Sequence, residues 1–352
     1  MVYIGVDLHR KRSQLAALDV AGEPLFNRSI PSQADEFLRV FGELQPEPIE
    51  VAFEATIGWG WFADLLADAG VKAHMAHPLA TRAIATARVK NDAVDAKTLA
   101  HLLRTNLLPE AWIAPLEVRE ARRLVRMRAG LVRIRSRLKC QIHALLAEAG
   151  VSVSMTDLFG RGGRDLLAGL KLPAISQDRL EANLRLIDTL SGEIDAAERQ
   201  IARRFRGDPR MARLLPIPGI GPLGAATIIA EVWDVGRFAT PERLTSWAGL
   251  TPTERSSADH TRRGHISKQG SRWLRWICVE AATNAVRDPD LGRFAARIAR
   301  RRGVKIARVA LARRLLTLAY YALRDPQGCA AYPMVPARSV IRMASPDGRQ
   351  TD

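Results

Sequence analysis

Three short apolar runs open the chain before any helical periodicity begins: residues 2–7, 13–20 and 23–30, the last two joined by the turn Ala21-Gly22-Glu23. Runs of this length with a Gly-containing turn between them read as strands, two of them forming a hairpin. Helix-like and strand-like stretches then alternate. A helix is expected from Asp35 to Leu44, a strand around Val51, and a helix from Gly58 or Trp59 to Ala69. A strand from Val71 to Ala76, a short helix after Pro78 and a helix ending at Arg104 follow. Meandering strands followed by such alternation predict an α/β unit at the start of the chain.

Acids fall at particular places in this pattern. Asp7 ends the run Val2–Val6, Glu54 ends the run Ile49–Phe53, and Asp92 and Asp95 lie three apart where a helix begins. Residues i and i+3 share a helix face with Cβ atoms about 5–6 Å apart, and hard divalent cations take carboxylate oxygens. Each acid also has a plainer account. Asp92 can cap its helix and Asp95 can complement the dipole of the first turn, while Asp7 and Glu54 can be ordinary strand ends. In an RNase H-like order of elements the two strand ends are neighbours and the helix brings the last pair alongside. The four together therefore predict a Mg²⁺ site.

From Leu116 the pattern changes to long helix. Leu124, Met127, Leu131, Ile134, Leu138, Ile142 and Leu145 follow steps of three and four, as do Leu180, Leu184, Ile187, Leu190, Ile194, Ala197, Ile201 and Phe205. Such spacing predicts two long helices, an antiparallel coiled coil or a self-association surface, joined by a Gly-rich connector over 150–178. A third, helical unit begins near Pro216, with helices over about 222–233, 241–248, 270–287 and 289–324, the last broken near Gly303. The fold class is α/β plus all-α. The domains are 1–110 with the carboxylates, 111–206 as a coiled-coil linker, 207–325 as a helical C-terminal domain, and 326–352 as a flexible tail.

The charge is distributed unevenly over these parts. The 352 residues carry a formal charge of +16. Residues 1–105 hold 11 Lys and Arg against 13 acids (−2), 106–206 hold 18 against 12 (+6), and 207–352 hold 24 against 12 (+12). One part suits cations and the rest suits polyanions, the asymmetry of a nucleic-acid enzyme. Nine of the 21 residues 119–139 are basic and only Glu120 is acidic, so Arg122, Arg126 and Arg133 are expected to meet a phosphate backbone rather than form a merely solvated face. The cluster Arg297–Arg302 supports the same reading.

Pro218-Gly219-Ile220-Gly221 is similar to the hairpin of a helix-hairpin-helix element, where Gly219 and Gly221 would let backbone approach a phosphate. A tight turn between packed helices is the other reading. Residues 248–275 form a polar, Gly- and Ser-rich segment with Ser256 and Ser257 flanked by Arg255, Arg262, Arg263 and Lys268. A serine there could attack a phosphodiester while the cations neutralise developing charge, although most loop serines are simply solvated. Cys140, Cys278 and Cys329 are scattered and imply neither a disulfide framework nor a zinc site. With no leader-like start and no apolar stretch of about 20 residues, a soluble cytoplasmic protein is expected, nucleoid-associated when bound to DNA.

The blocks VDLHRK, AFEATIGWG, KNDAVDAKTLA, PGIGPLGAATIIAEV and AGLTP…SS…ISKQGSRWLR run through nearly the whole chain. Together they resemble the DEDD transposases of the insertion-sequence 110 family. The resemblance implies a RuvC-like domain whose acids, matched here by Asp7, Glu54, Asp92 and Asp95, hold magnesium. It also implies a C-terminal transposase domain with a serine nucleophile, matched by Ser257. That serine is usually followed by glycine, here Ala258, which leaves Ser256 as a register alternative. An element-encoded guide RNA and assembly into dimers or tetramers are implied as well. The expected function is DNA transposition. A RuvC-like nuclease or junction resolvase using water, and a non-catalytic nucleic-acid-binding protein, are the alternatives.

Overall fold

Apolar residues alternate along the first strands, and the alternation decides which face each helix covers. A computed structural model describes residues 1–84, 92–257 and 260–325, the side chains of 255–263 excepted. It divides into two compact units, Met1–Leu116 and the chain from Glu117 onward. The first unit contains β1 (Val2–Asp7), β2 (Arg12–Leu18), β3 (Pro24–Pro31), α1 (Ala34–Glu43), β4 (Ile49–Glu54), α2 (Trp59–Asp68), β5 (Lys72–Ala76), α3 (Pro78–Ile84), α4 (Asp92–Arg104) and β6 (Glu110–Ala111). The six strands form one sheet in the order β3-β2-β1-β4-β5-β6. The β1–β2 and β2–β3 pairs are antiparallel, whereas β4 pairs parallel with both β1 and β5. This mixed sheet with its helices fits the RNase H-like architecture expected.

Side chains two apart on a strand share a face. Val2, Ile4 and Val6 of β1 and Val51 and Phe53 of β4 therefore point together, into a core with Phe37, Val40 and Phe41 of α1 and Phe62 and Leu66 of α2. The opposite face, carrying Tyr3, Ala52 and Ala76, packs on Leu99 and Leu103 of α4. At Gly5 the two backbones nearly touch: a Cβ there would lie 1.9 Å from Ala96 O and 2.6 Å from Ala100 N. A glycine on β1 thus lets α4 sit directly on the strand that ends in Asp7.

The second unit contains α5 (Leu116–Glu148), α6 (Arg161–Ala168), α7 (Ala174–Arg204), α8 (Pro209–Leu214), α9 (Pro222–Val232), α10 (Pro241–Trp247), β7 (Pro252–Ser257), β8 (His260–Ile266), α11 (Arg272–Ala285), α12 (Pro289–Arg302) and α13 (Val304–Arg324). Helices α5 and α7 run antiparallel, because Arg128 pairs with Glu198 at 2.6 Å, Arg135 donates to Ser191 Oγ at 3.1 Å, and Glu148 lies 3.9 Å from Arg179. The connector over 150–178 is more than a link. It contains α6, and its Leu158 and Leu167 close a small core with Ile142, Leu145, Leu146, Leu180 and Ile187.

The polar segment 248–275 also departs from expectation. It contains an antiparallel hairpin, β7 with β8, registering Ser257 opposite His260 and Arg255 opposite Arg262. Its strands carry no apolar alternation, so their pairing rests on backbone hydrogen bonds that sequence periodicity does not report. The expected tail, 326–352, lies outside the described residues. Among the described residues no helix is long and apolar enough to cross a membrane.

Candidate active site

Strand parity places the first acids. Asp7 is two residues beyond Gly5 and Glu54 two beyond Ala52, so both belong to the sheet face that α4 covers. They end neighbouring parallel strands, paired up to Val6 and Phe53. On α4, Asp92 and Asp95 prolong the sheet-facing stripe of Ala96, Leu99, Ala100 and Leu103, all four of them buried. Two hydrogen bonds draw the surrounding chain together. Thr56 Oγ1 donates to Leu8 O at 3.2 Å, tying the turns after β4 and β1, and Asn27 Nδ2 donates to Ala93 O at 3.1 Å, tying β3 to the start of α4.

His9 stands between two of the acids. Its Nε2 lies 3.1 Å from Asp7 Oδ2 and 3.6 Å from Asp92 Oδ2, and its backbone N–H donates to Ser13 Oγ at 3.4 Å. Ligand atoms of Asp7, His9 and Asp92 all lie within 4.8 Å of one another. The Asp7 carboxyl is raised above its ordinary value, chiefly by burial. The His9 imidazole opposes that rise, while the Asp92 and Asp95 carboxylates add to it. A carboxylate crowded by two others in this way belongs to a donor set whose repulsion a hard divalent cation relieves. The residues therefore fit such an ion, and His9, which the sequence pattern did not single out, offers a nitrogen beside the carboxylates. The only signal for it was the i+2 spacing from Asp7 across the turn into β2.

In the second unit the hairpin that carries Ser257 is anchored at its root by close backbone contacts. Ser271 N–H donates to Trp247 O at 3.0 Å, Lys268 N–H to Gly249 O at 3.2 Å, and Ser267 N–H to Thr251 O at 2.9 Å. A Cβ on Gly270 would lie 1.9 Å from Trp247 O, and one on Gly249 2.3 Å from Gln269 O. The glycines of the blocks AGLTP and SKQGS thus let two chain segments cross. Lys268 is exposed in a left-handed conformation, φ 53°. The side chains of Ser256, Ser257 and Arg262 lie outside the described residues.

The turn before α9 separates its two glycines. Gly219 has φ 84°, and a Cβ on it would lie 2.3 Å from Ala281 O of α11, so this glycine serves helix packing. Gly221 caps α9 with open space around its Cα. Only at the second would an added Cβ meet open space.

The arginines of α5 are largely turned inward. Arg122 donates to the carbonyls of Ala230 at 3.1 Å and Glu231 at 2.7 Å, and burial pulls its guanidinium below its ordinary value. Arg126 grips the fully buried Glu231 carboxylate with two bonds, 2.7 and 2.9 Å. Ser271 Oγ donates to the same carboxylate at 2.9 Å and accepts from Leu274 N–H as the cap of α11. Arg237 and Arg210 donate to Val232 O and Trp233 O, so cations from three elements gather on the carboxyl end of α9, where the helix dipole favours them. Arg133 remains exposed.

Two family models match the sequence: residues 4–150 match a DEDD transposase model of the IS110 type, and residues 211–297 match one described as Transposase IS116/IS110/IS902 family. The chain belongs to the IS110 family of DEDD transposases. This transposase is 29% identical over 294 residues to a Pseudomonas aeruginosa protein named "Probable family 20 transposase", covering 81% of this chain and 84% of that one. It is 24% identical to the transposase for insertion sequence element IS1328 of Yersinia enterocolitica, over 79% of this chain and 82% of the relative. The transposase for IS1111A of Coxiella burnetii is likewise 24% identical, over 81% and 78%. The transposase is thus a DNA-binding enzyme of a family that works with a divalent metal.

Proposed function

We propose that this transposase cuts and rejoins DNA using Mg²⁺ held by Asp7, Glu54, Asp92 and Asp95, with Ser257 as nucleophile. The observation that carries the reading is the gathering of Asp7, Asp92 and His9 on the face of the sheet where Glu54 ends the adjacent strand. A bound divalent ion would stabilise charge on the attacking and leaving oxygens of the displacement. Ser257 Oγ would bond to phosphorus as the bond to the leaving deoxyribose oxygen breaks, and the serine proton ends on that oxygen. A DNA hydroxyl then attacks the same phosphorus and releases the serine. Lys268 and Arg262, near the hairpin root and on β8, suit the phosphate charge. Gly221 at the start of α9 and Arg133 on α5 suit backbone contacts elsewhere. Guidance by an element-encoded RNA and assembly into dimers or tetramers through the long helices belong to the same proposal and rest on the family resemblance.

Ser257→Ala and Asp92→Asn test the reading on a DNA fragment carrying the element ends. Ser257→Ala should abolish both cleavage and the protein–DNA adduct while DNA binding persists, and Asp92→Asn should abolish cleavage and weaken Mg²⁺ binding by titration. Intact Mg²⁺-dependent cleavage in Ser257→Ala would instead establish water as nucleophile. If Ser256→Ala alone abolishes the adduct, the nucleophile shifts by one residue.

A further inference from the structure

We infer that the corner where α12 meets α13, rather than the arginine run of α5, is the principal surface on which this transposase grips the phosphates of double-stranded DNA. On α5, Arg122, Arg123, Arg126, Arg128 and Arg135 all hold partners within the second unit, and Lys139 lies over the Phe159 ring. Their charge is largely committed inside the fold. The corner is the opposite case. Arg297, Arg300, Arg301, Arg302, Lys305 and Arg308 are all exposed; among the described residues none has an acidic partner, and only Arg297 of the six lies over a ring, that of Phe294 at 6.0 Å. Arg293, one turn earlier, is paired with Asp290.

Helix geometry lines these cations up. Leu291 and Ala295 turn α12 toward the core, while Arg293, Arg297, Arg300 and Arg301 fall at i, i+4, i+7 and i+8 on another face. That face is about 12 Å long at 1.5 Å per residue, and a DNA strand presents a phosphate about every 3.4 Å of helix axis. Gly303, with φ 83°, then turns the chain into α13. Arg300, Arg301 and Arg302 suit the carboxyl end of α12, but Lys305 and Arg308 lie in the first turns of α13, at the positive pole of its dipole. Arg297 and Arg301 add a like-charge pair four apart, which opposes helix formation. Among the described residues no acid pairs with these six cations, and a polyanion laid across the corner offsets their charge. The polyanion is duplex DNA, the substrate of transposition, so the inference rests on that reading.

The test is the salt dependence of binding to a short fluorescent DNA duplex of unrelated sequence. The affinity of a protein that neutralises Z phosphates falls with salt at a slope of about 0.9 Z, so Arg297→Gln/Arg300→Gln/Arg301→Gln should lower the slope by about 2.7. Lys305→Gln/Arg308→Gln should lower it by about 1.8, and it serves if the triple variant does not fold by circular dichroism. A fall below about one in the folded variants overturns the inference, as does a larger fall for Arg133→Gln/Arg137→Gln, or a change confined to an RNA duplex. Absence of salt-dependent duplex binding by the unaltered protein would sink the DNA reading itself, a distinct outcome.

Discussion

Replacing Gly5 with alanine tests whether the acidic site depends on the seating of α4. The new Cβ would lie 1.9 Å from Ala96 O, whereas ordinary contact begins at 3.4 Å, so the helix and strand must separate by about 1.5 Å. The obstacle is backbone on both sides, and no side-chain rotation relieves it. Overpacking of this kind costs about 1–3 kcal/mol, and for a domain near 100 residues each kcal/mol lowers the melting temperature by roughly 4–8 °C. The same displacement carries Asp92 and Asp95 away from Asp7, and a 1 Å misplacement can cost about 100-fold in rate. Differential scanning calorimetry, Mg²⁺ titration and strand cleavage measured together decide the matter. Lower stability, weaker Mg²⁺ binding and slower cleavage with DNA binding retained are expected. Unchanged Mg²⁺ affinity in a destabilised variant would refute the dependence of the acids on helix seating, and an unchanged melting temperature would refute the contact itself.

Arg126→Met strands the Glu231 carboxylate, fully buried, and should cost about 3–5 kcal/mol in chemical denaturation, whereas adding Glu231→Gln should restore part of it. A loss below about 1 kcal/mol would show that Ser271 and Arg122 suffice without the ion pair. Burial pushes the Cys278 thiol up to about 12 from 9.0. Because the unfolded thiol ionises first, its contribution to stability is full below pH 9 and is lost as pH rises toward 12. Cys278→Ala should flatten that alkaline decline, and alkylation of the native protein should modify the exposed Cys140 but spare Cys278. Equal labelling of the two would contradict the burial. His9→Gln should weaken Mn²⁺ binding more than Mg²⁺ binding, since an imidazole favours the softer ion, and equal losses in titration would remove His9 from the donor set.

Most of the first unit could be read from residue order. Strands 2–7, 23–30 and 72–76 and the helices around Phe37 and Phe62 follow local periodicity, and Asp7, Glu54, Asp92 and Asp95 announce themselves at element ends. The second unit yielded less. A hairpin of polar strands and the small helix α6 lack the apolar repeat that marks an element, because one rests on backbone pairing and the other on contacts with α5 and α7. The arginines of α5 mislead for a related reason. A string of letters counts charges but not their partners, and Glu198, Ser191 and Glu231 lie 56 to 105 residues away along the chain.

Sequence by itself therefore determined most of the order of elements in the first unit, the placing of four acids at element ends and the excess of positive charge, since each is a local property of adjacent residues. Only the tertiary structure decided that Gly5 is the seat of α4, that His9 stands between Asp7 and Asp92, and which cations face outward at α12 and α13. Those are distances between segments remote in the chain, set by which faces pack together, and no local spacing encodes them.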